Sequence, residues 1–147
     1  MARVVALHVA AVAHGPMTAV ESVAAEAGLG LVGDRYFGTR HRHVSVQSAE
    51  QLAAASEAWG APVPAEGARR NVTLDAGDVP TEPGARLVIG DVVLGVVRRA
   101  APCRVMETSV GPGARRALHG RGGAVCRVLT SGTITVGDLT TCRQSPA

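Results

Sequence analysis

Lysine is missing from this 147-residue sequence, and all 15 residues counted as lysine or arginine are arginine. A lysine is needed to hold pyridoxal phosphate as a Schiff base, and it is also part of the phosphate-binding loop of many nucleotide hydrolases. The sequence therefore excludes both kinds of site. Any anion must be held by guanidinium groups and backbone amides, which suit planar phosphate or carboxylate groups. We expect the partners to be a small anionic cofactor and a small-molecule substrate.

Aromatic residues are also scarce, since Tyr36, Phe37 and Trp59 are the only ones and make up 2% of the chain. Proteins that bind single-stranded nucleic acid stack the bases on aromatic side chains. The net charge of +3 is mild, and the arginines are scattered instead of forming one basic run. We therefore expect no nucleic-acid partner. No apolar run reaches the roughly 18 residues of a membrane-spanning helix, so we expect no membrane partner either.

The sequence has few cysteines, at positions 103, 126 and 142, and no two of them form a C-x-x-C pair. An odd number of widely spaced cysteines is typical of reduced thiols rather than of a disulfide framework. We expect a cytoplasmic protein. Cys126 lies inside an apolar segment, so its thiol is expected to be inert.

The chain has the length of one ordinary domain, and its 46% hydrophobic content is mostly valine, leucine and alanine. Valine-rich segments favour strands, so we predict a small barrel or a β-rich α+β fold. Strands are predicted at 3–12, 43–47, 69–74 and 124–129. Helices are predicted at 17–27 and at 48–59, where Ser48 and Gln51 have the spacing of a capping box. Gly-Asp pairs inside 87–94 and 133–139 predict two hairpins.

One thiol lies among arginines, in the segment Arg98-Arg99-Ala100-Ala101-Pro102-Cys103-Arg104. Proline is favoured as the first residue of a helix, so Pro102 is expected to open a helix that runs through Glu107. The amides of the first helical turn and the nearby guanidinium groups would then favour the thiolate. A thiolate can be a nucleophile or a soft-metal ligand. The alternative is that Cys103 is a buried thiol that fills the core.

Three further segments could bind ligands. His41 and His43 would share one face of a strand and could bind zinc together with a cysteine, although the remaining ligands cannot be placed from the sequence. The run 69–71, Arg-Arg-Asn, could hold a phosphate, or it could be a solvated pair of arginines at a rim. The turn 120–123, Gly-Arg-Gly-Gly, offers amides and a guanidinium to an anion, although such turns are common in β proteins.

Six motifs follow one another in an order that is more specific than any one of them. They are Gly33-Asp34-Arg35, Arg69-Arg70-Asn71, Ile89-Gly90-Asp91, Pro102-Cys103, Arg121-Gly122-Gly123-Ala124-Val125-Cys126-Arg127-Val128-Leu129 and Val136-Gly137-Asp138. In this order and spacing the chain resembles the MOSC domain, the family named for the C-terminal domain of molybdenum-cofactor sulfurase. The resemblance extends from Val4 to Asp138, as in a short stand-alone member.

The resemblance implies a compact, largely antiparallel MOSC-type β-barrel with a few short helices, in a single domain over 1–147 with its core at 4–138 and a tail at 139–147. It also implies that Cys103 is the catalytic sulfur, either as a ligand of molybdenum or as the carrier of a persulfide. The expected cofactor is the molybdenum–pterin cofactor (molybdopterin). The positions that match its binding residues are Arg69, Arg70, Asn71, Arg121, Gly122, Gly123, Asp34 and Arg35.

Three functions remain open on this resemblance. The first is an oxidoreductase that reduces N-hydroxylated small molecules at molybdenum and receives electrons from a redox partner. The second is a sulfur carrier or sulfurtransferase, in which a sulfur-donor protein loads Cys103 with a persulfide. The third is a cofactor-binding module without turnover. Ala100 stands where many short members carry a second cysteine, which disfavours a two-thiol mechanism. The N-terminal barrel of larger relatives has no counterpart here, so the site is expected to be open, lost or completed by a second subunit in a homodimer.

Overall fold

The computed structural model describes residues 2–101 and 104–143 of the chain. The strands are β1 (Ala2–Val9), β2 (Thr18–Val20), β3 (Ser22–Glu26), β4 (Gly30–Leu31), β5 (Val44–Ser48), β6 (Val72–Leu74), β7 (Arg86–Ile89), β8 (Val92–Arg99), β9 (Ala124–Thr130), β10 (Gly132–Thr135) and β11 (Leu139–Arg143). The helices are α1 (Ala49–Trp59), α2 (Arg104–Val110) and α3 (Ala114–Ala117). None of the helices in these ranges has the length and apolar character needed to span a membrane.

Seven strands form a closed barrel in the order β11-β7-β8-β9-β5-β6-β1, and β11 pairs back with β1 to close it. Within the described ranges only β5 and β6 pair in parallel, and α1 with the loop after it makes the crossover that a parallel pair requires. β2 extends the sheet beside β1, while β10, β3 and β4 form a separate three-stranded sheet. The predicted mostly β barrel is confirmed.

Two apolar clusters hold the fold together. The barrel interior is filled by alternating aliphatic side chains such as Leu7, Leu87, Ile89 and Leu94, each at most 1% exposed. A second cluster lies among the helices and the 63–68 segment, with Leu52, Ala55, Val63, Ala68, Met106, Ala114 and Leu118 as its buried members. The helices therefore form a layer on one side of the barrel, and the loops that join this layer to the barrel carry most of the predicted site residues.

The helix predicted at 17–27 is wrong, because this segment forms β2 and β3. Val23 and Ala25 are buried while Ser22, Ala24 and Glu26 are exposed, which is the period of two of a strand. The apolar positions at 20, 23 and 24 fit a helix equally well in sequence. Pairing of β3 with β10 decides the outcome through a long-range contact.

One of the two predicted hairpins is confirmed and the other is wrong. Ile89 pairs with Val92 across a two-residue turn in which Gly90 has a φ of 57°. The Gly137-Asp138 turn also forms, with the Asp138 carboxylate accepting a hydrogen bond from the Thr135 amide at 2.9 Å. However, β10 pairs with β3, whereas β11 pairs with β7 and β1. β11 closes the barrel inside the segment that was expected to be a tail.

Helix α1 is confirmed, but its capping box is wrong. The Ser48 side chain caps no amide of α1 and, although it is fully buried, it has no hydrogen-bond partner among the residues that the structure describes. The Gln51 side chain donates instead to Asp78, at 3.4 Å. The strand predicted at 69–74 is shorter than expected, since β6 begins only at Val72. Arg69 has a left-handed backbone, which a strand does not allow.

Candidate functional site

Arg70 joins three of the predicted motifs. Its side chain is almost fully buried, and its Nε donates to the carbonyl of Gly122 while its Nη2 donates to the carbonyl of Ala101, both at 3.0 Å. Ala101 lies two residues after the end of β8, directly before Pro102. One guanidinium group therefore connects the segment before β6, the glycine turn before β9 and the segment that leads to Cys103.

The two glycines of that turn are required by close packing. A Cβ on Gly122 would lie 2.7 Å from the Ala100 carbonyl oxygen and 3.2 Å from Nη2 of Arg70. Gly123 has a φ of 82°, and a Cβ there would overlap the carbonyl oxygen of Val46 on β5. The turn therefore packs directly against Val46 on β5 and against Ala100, which follows β8. This packing fixes the position of the carbonyl groups that accept hydrogen bonds from Arg70.

Arg69 has a left-handed backbone, with a φ of 61°. This conformation costs a residue other than glycine roughly 1–2 kcal/mol, and such strain is concentrated at functional sites. Its amide donates to the Glu66 carbonyl at 3.1 Å, and its side chain is 8% exposed. The bend turns the chain out of the 64–68 loop, so that Arg70 can face Gly122 before β6 begins.

Asp34 is a buried carboxylate that accepts several hydrogen bonds. Its Oδ1 accepts hydrogen bonds from the amide of Ala10 at 3.0 Å and from the side chains of Arg35 and Asn71 at 3.1 and 3.3 Å. Its Oδ2 accepts the amide of Tyr36 at 3.3 Å. The carboxylate is fully buried, and its role in this geometry is to hold the 33–38 loop against the end of β1.

Asn71 continues the same network across three strands. Its Oδ1 accepts the amide and the hydroxyl of Ser45 on β5, at 3.0 and 3.2 Å. Its Nδ2 donates to the backbone carbonyl of His8 on β1, at 3.0 Å. With these partners Asn71 fixes β6 between β1 and β5, next to Arg70. Direct contact of Asp34 or Asn71 with a cofactor stays a prediction.

Arg35 is buried beside an aromatic ring. Its side chain is 6% exposed, and its guanidinium lies 4.6 Å from the centre of the Tyr36 ring. The guanidinium of Arg42 lies 4.3 Å from the same ring. Both contacts have the geometry of cation–π interactions. Together with the ion pair to Asp34, they hold Arg35 within the 33–42 loop, apart from the Arg70 contacts.

Arg121 precedes Gly122 and is half-buried. Its Nη1 donates to the carbonyl of Ala117 at 2.8 Å, and its amide donates to Leu118 at the same distance. No salt bridge was found between Arg121 and a carboxylate of residues 2–101 or 104–143. Its positive charge is therefore not balanced by a neighbouring acid among these residues.

His8 and Gln47 are polar residues of this region that the sequence reasoning missed. Both are at most 5% exposed, and neither Nδ1 of His8 nor Oε1 of Gln47 has a hydrogen-bond partner in the described part of the chain. The Gln47 Nε2 donates to Thr73 and to the carbonyl of Ala65. Burial lowers the pKa of His8, and the nearby Glu66 partly offsets this effect.

Leaving a buried polar atom unpaired costs about 1–3 kcal/mol, and such atoms are often satisfied by an ordered water or by a ligand. Nδ1 of His8 and Oε1 of Gln47 could therefore each form a hydrogen bond with a further polar molecule near the 64–68 loop. The signal in the sequence was His8 itself, a polar residue inside the apolar run at 4–13.

The predicted shared face of His41 and His43 is wrong. His41 lies before β5 and is exposed, whereas His43 is fully buried. Nε2 of His43 donates to the Thr39 carbonyl at 2.7 Å, and its Nδ1 accepts the amide of Val128 at 3.0 Å. Both ring nitrogens are thus occupied, and burial lowers the pKa of His43. No three potential metal ligands gather among the residues that the structure describes.

The glycine turn and the contacts of Arg70 lie in a part of the chain that matches a known protein family. The sequence profile of the MOSC domain matches residues 33–141, which is more than half of the chain. The chain belongs to the MOSC family. It is therefore a molybdenum-cofactor-related domain, as the order of its motifs predicted. No curated protein matches the sequence.

Solved structures show the same fold. The YuaD protein from Bacillus subtilis is similar with a TM-score of 0.84 and 19% identity, over 98% of this chain and 97% of that one. YiiM from Geobacillus stearothermophilus is similar with a TM-score of 0.73 and 20% identity, over 98% of this chain and 76% of that one. YiiM from Escherichia coli has a TM-score of 0.72 and 15% identity, over 99% and 71%. These likenesses establish the MOSC barrel.

Pro102 and Cys103 lie outside the described residues, so the role predicted for Cys103 stays a prediction. The helix expected after Pro102 is present as α2, which begins at Arg104. Cys126 is fully buried in β9, and burial raises the pKa of its thiol to about 12, in agreement with the inert thiol expected there. Cys142 on β11 is exposed, and partial burial still raises the pKa of its thiol.

The described residues fit the anionic end of the cofactor that is associated with MOSC domains. Arg70 and Arg121 come from different segments and both lie at one turn, because Arg121 directly precedes Gly122, whose carbonyl accepts a hydrogen bond from Arg70. A side chain on Gly122 would contact Nη2 of Arg70. Arginine donors and backbone amides are the groups that suit phosphate. Nδ1 of His8, which has no hydrogen-bond partner among the described residues, adds a polar group on β1, whose His8 amide donates to the carbonyl of Asn71 next to Arg70.

Proposed function

We propose that this protein binds the molybdenum–pterin cofactor and reduces N-hydroxylated small molecules, with Cys103 as the sulfur ligand of the metal. The observation that supports this most is the double hydrogen bond of Arg70 to Gly122 and Ala101, each at 3.0 Å. It joins the glycine turn to the segment that precedes Cys103. In this proposal the turn holds the phosphate of the cofactor, and the thiolate of Cys103 is a ligand of its metal.

The residues of the chain would have distinct roles. Arg69 and Arg121 would donate hydrogen bonds to the phosphate of the cofactor, and Arg70 would position the turn and the segment before Cys103. Asp34 and Asn71 would keep the strands beneath them in register. The thiolate of Cys103 would act as a soft ligand, for which a protonated serine hydroxyl is a poor substitute.

When bound, the cofactor would supply a two-electron centre that accepts an oxygen atom from the substrate. Reduction of an N-hydroxyl group to an amine consumes two electrons and two protons and releases water, so a separate redox protein must deliver the electrons. We place this activity in the cytoplasm. A second copy of the chain in a homodimer would shield the site from water if one subunit leaves it open.

The test is the metal and pterin content of protein purified from a host that makes the cofactor. Wild type should contain molybdenum and pterin in amounts close to that of folded protein. Cys103→Ser should fold and lose most of its molybdenum, because a serine hydroxyl stays protonated near neutrality and is a poor soft-metal ligand. Cys142→Ser is the matched control, since Cys142 is exposed on β11 and should not affect metal content.

Other results would contradict the proposal. Wild type that contains neither molybdenum nor pterin would exclude a resident cofactor. Wild type without metal but with a persulfide on Cys103, seen by mass spectrometry, would instead support the sulfur-carrier function. A loaded protein that fails to reduce an N-hydroxylated test compound with an artificial electron donor would leave only the cofactor-binding module.

A further inference from the structure

A cavity opens at the end of the barrel opposite to the Arg70 contacts. Its volume is about 370 Å³, and its lining includes Ala2, Leu74, Gly77, Asp78, Thr140 and Cys142. Arg70 precedes β6, whereas Leu74 is the last residue of β6, and the next amide, that of Asp75, donates to the carbonyl of Arg3 near the start of β1. We refer to this space as the β11 cavity. None of the described residues assigned above to the cofactor site lines it.

Strand β11 supplies two chemically active side chains to the β11 cavity. Thr140 and Cys142 are two residues apart, so their side chains lie on the same face of the strand. Thr140 is 1% exposed, and it pairs with Ala2 of β1 on one side and with Ile89 of β7 on the other. Cys142 is exposed, so the cavity carries a thiol that reagents in solution can reach.

Thr140 also provides the observation that points to a ligand. Its Oγ1 is buried and has no hydrogen-bond partner among the residues that the structure describes. A buried polar atom of this kind destabilises a protein unless a water or a ligand supplies the missing bond. Oε1 of Gln51 is a second such atom, and Nε2 of the same side chain donates to Asp78 at 3.4 Å. Two oxygen atoms that can accept hydrogen bonds therefore lie in the cavity wall or beside it.

The rim of the β11 cavity is acidic. Oε2 of Glu50 accepts the amide of Gly77 at 2.6 Å, and Oδ1 of Asp75 accepts the amide of Arg3 at 3.0 Å. These two carboxylates are engaged with backbone, whereas the hydrogen bond found for Asp78 within the described ranges is the long one from Gln51. No salt bridge was found for these three acids among residues 2–101 and 104–143. A positively charged ligand is therefore favoured.

We propose that the β11 cavity binds a small primary amine in its protonated form. An ammonium group has three donors and no acceptor, which matches the carboxylate of Asp78, the hydroxyl oxygen of Thr140 and Oε1 of Gln51. Leu74 and Ala2 would offer apolar surface to a short alkyl chain. The volume lies within the usual range of small-molecule sites, about 300–1,000 Å³. The site is separate from the Arg70 contacts, so its occupation does not depend on the proposed function.

Disulfide exchange at Cys142 tests this ligand class. The thiolate of Cys142 attacks a small disulfide, forms a mixed disulfide with one half of it and releases the other half as a thiol. The full chain, free of cofactor, is equilibrated with cystamine or its three-carbon homologue, each mixed with the hydroxyl disulfide of the same length. Mass spectrometry of the Cys142 peptide then gives the ratio of ammonium to hydroxyl adduct. Burial raises the pKa of the Cys142 thiol and slows the exchange, so the ratio is measured at equilibrium.

The same ratio in urea-unfolded protein gives the intrinsic preference of the thiol. In folded wild type the ratio should be about threefold to fivefold higher, for at least one of the two chain lengths. This is the scale of an ion pair at a surface, which applies because Asp78 is exposed.

Matched variants localise the effect. Asp78→Asn should return the ratio to its unfolded value, whereas Glu57→Gln should leave it as in wild type, because Glu57 is an exposed acid of α1 that does not line the cavity. Thr140→Val keeps the shape of the side chain and removes its hydroxyl. It should lower the ratio without lowering the free energy of unfolding, since an unpaired hydroxyl contributes no stability to the free protein. Circular dichroism establishes that all three variants are folded.

Three results would overturn the proposal. They are equal ratios in folded and unfolded protein for both chain lengths, equal effects of Asp78→Asn and Glu57→Gln, and a ratio that Thr140→Val leaves unchanged. The readout needs no molybdenum, so its failure is distinguishable from failure of the proposed function. Protein with full molybdenum content but no preference for the ammonium adduct would remove the amine site alone, whereas a preference in protein that never acquires molybdenum would leave the amine site standing.

Discussion

Replacing Arg70 with lysine should destabilise the protein by about 1.5–3 kcal/mol, the usual worth of one hydrogen bond to a charged group. Arg70 is 4% exposed, and two of its nitrogens donate to Gly122 and Ala101. A lysine keeps the charge, but its single ammonium cannot reach two carbonyls that a planar guanidinium reaches from two nitrogens. For a chain of this size the loss corresponds to a fall in Tm of about 3–12 °C.

Urea unfolding of the cofactor-free protein measures this loss as a lower midpoint at an unchanged m-value. Arg98→Lys is the control, because Arg98 is exposed on β8 and its replacement should change the free energy of unfolding by less than about 0.5 kcal/mol. Gly122→Ala adds a Cβ close to Nη2 of Arg70. The double variant with Arg70→Lys should lose at least about 0.5 kcal/mol less than the sum, since both changes disturb one contact. Additive losses would refute the reasoning.

Three further predictions follow from buried groups. Iodoacetamide at neutral pH should alkylate Cys103 before Cys126, whose pKa is raised to about 12 by burial, and mass spectrometry that finds the reverse order would contradict a reactive Cys103. His43 has a lowered pKa in the folded protein, so the unfolded chain binds a proton that the folded one does not, and stability should be full above pH 6.5 and fall as the pH drops below it. Urea midpoints for His43→Asn should depend less on pH in that window, and an unchanged slope would exclude this cause. Gly123→Ala should destabilise the protein more than Gly137→Ala in thermal unfolding, because both glycines have positive φ but only Gly123 would collide with backbone; equal losses would exclude the collision.

Sequence patterns predicted the elements whose signals are local. The Gly90 turn and the apolar strand of β9 are specified by residues next to one another, and both formed as expected. The 17–27 segment was misassigned because its valines fit two periodicities, and only pairing with β10 distinguishes them. The second hairpin failed for the same reason, since the partner of β10 lies more than a hundred residues away along the chain.

Part of the candidate site could be predicted from the sequence and part could not, for the same reason. Motif order placed Arg70 and Gly122 in one site, and the structure connects them directly. It could not show that the polar atoms of Asp34 and Asn71 would be bonded inside the protein, because their partners come from strands distant in sequence. The sequence also could not show that Nδ1 of His8 has no hydrogen-bond partner among the described residues, because this depends on packing and not on spacing along the chain.

X-ray absorption at the molybdenum edge tests the central claim most directly, because it counts the sulfur ligands of the metal. Protein loaded in a cofactor-producing host should show one more sulfur ligand in wild type than in Cys103→Ser, measured on whatever metal the variant retains. Cys142→Ser should match wild type. Equal sulfur counts in wild type and Cys103→Ser would contradict the assignment of Cys103 as the metal ligand.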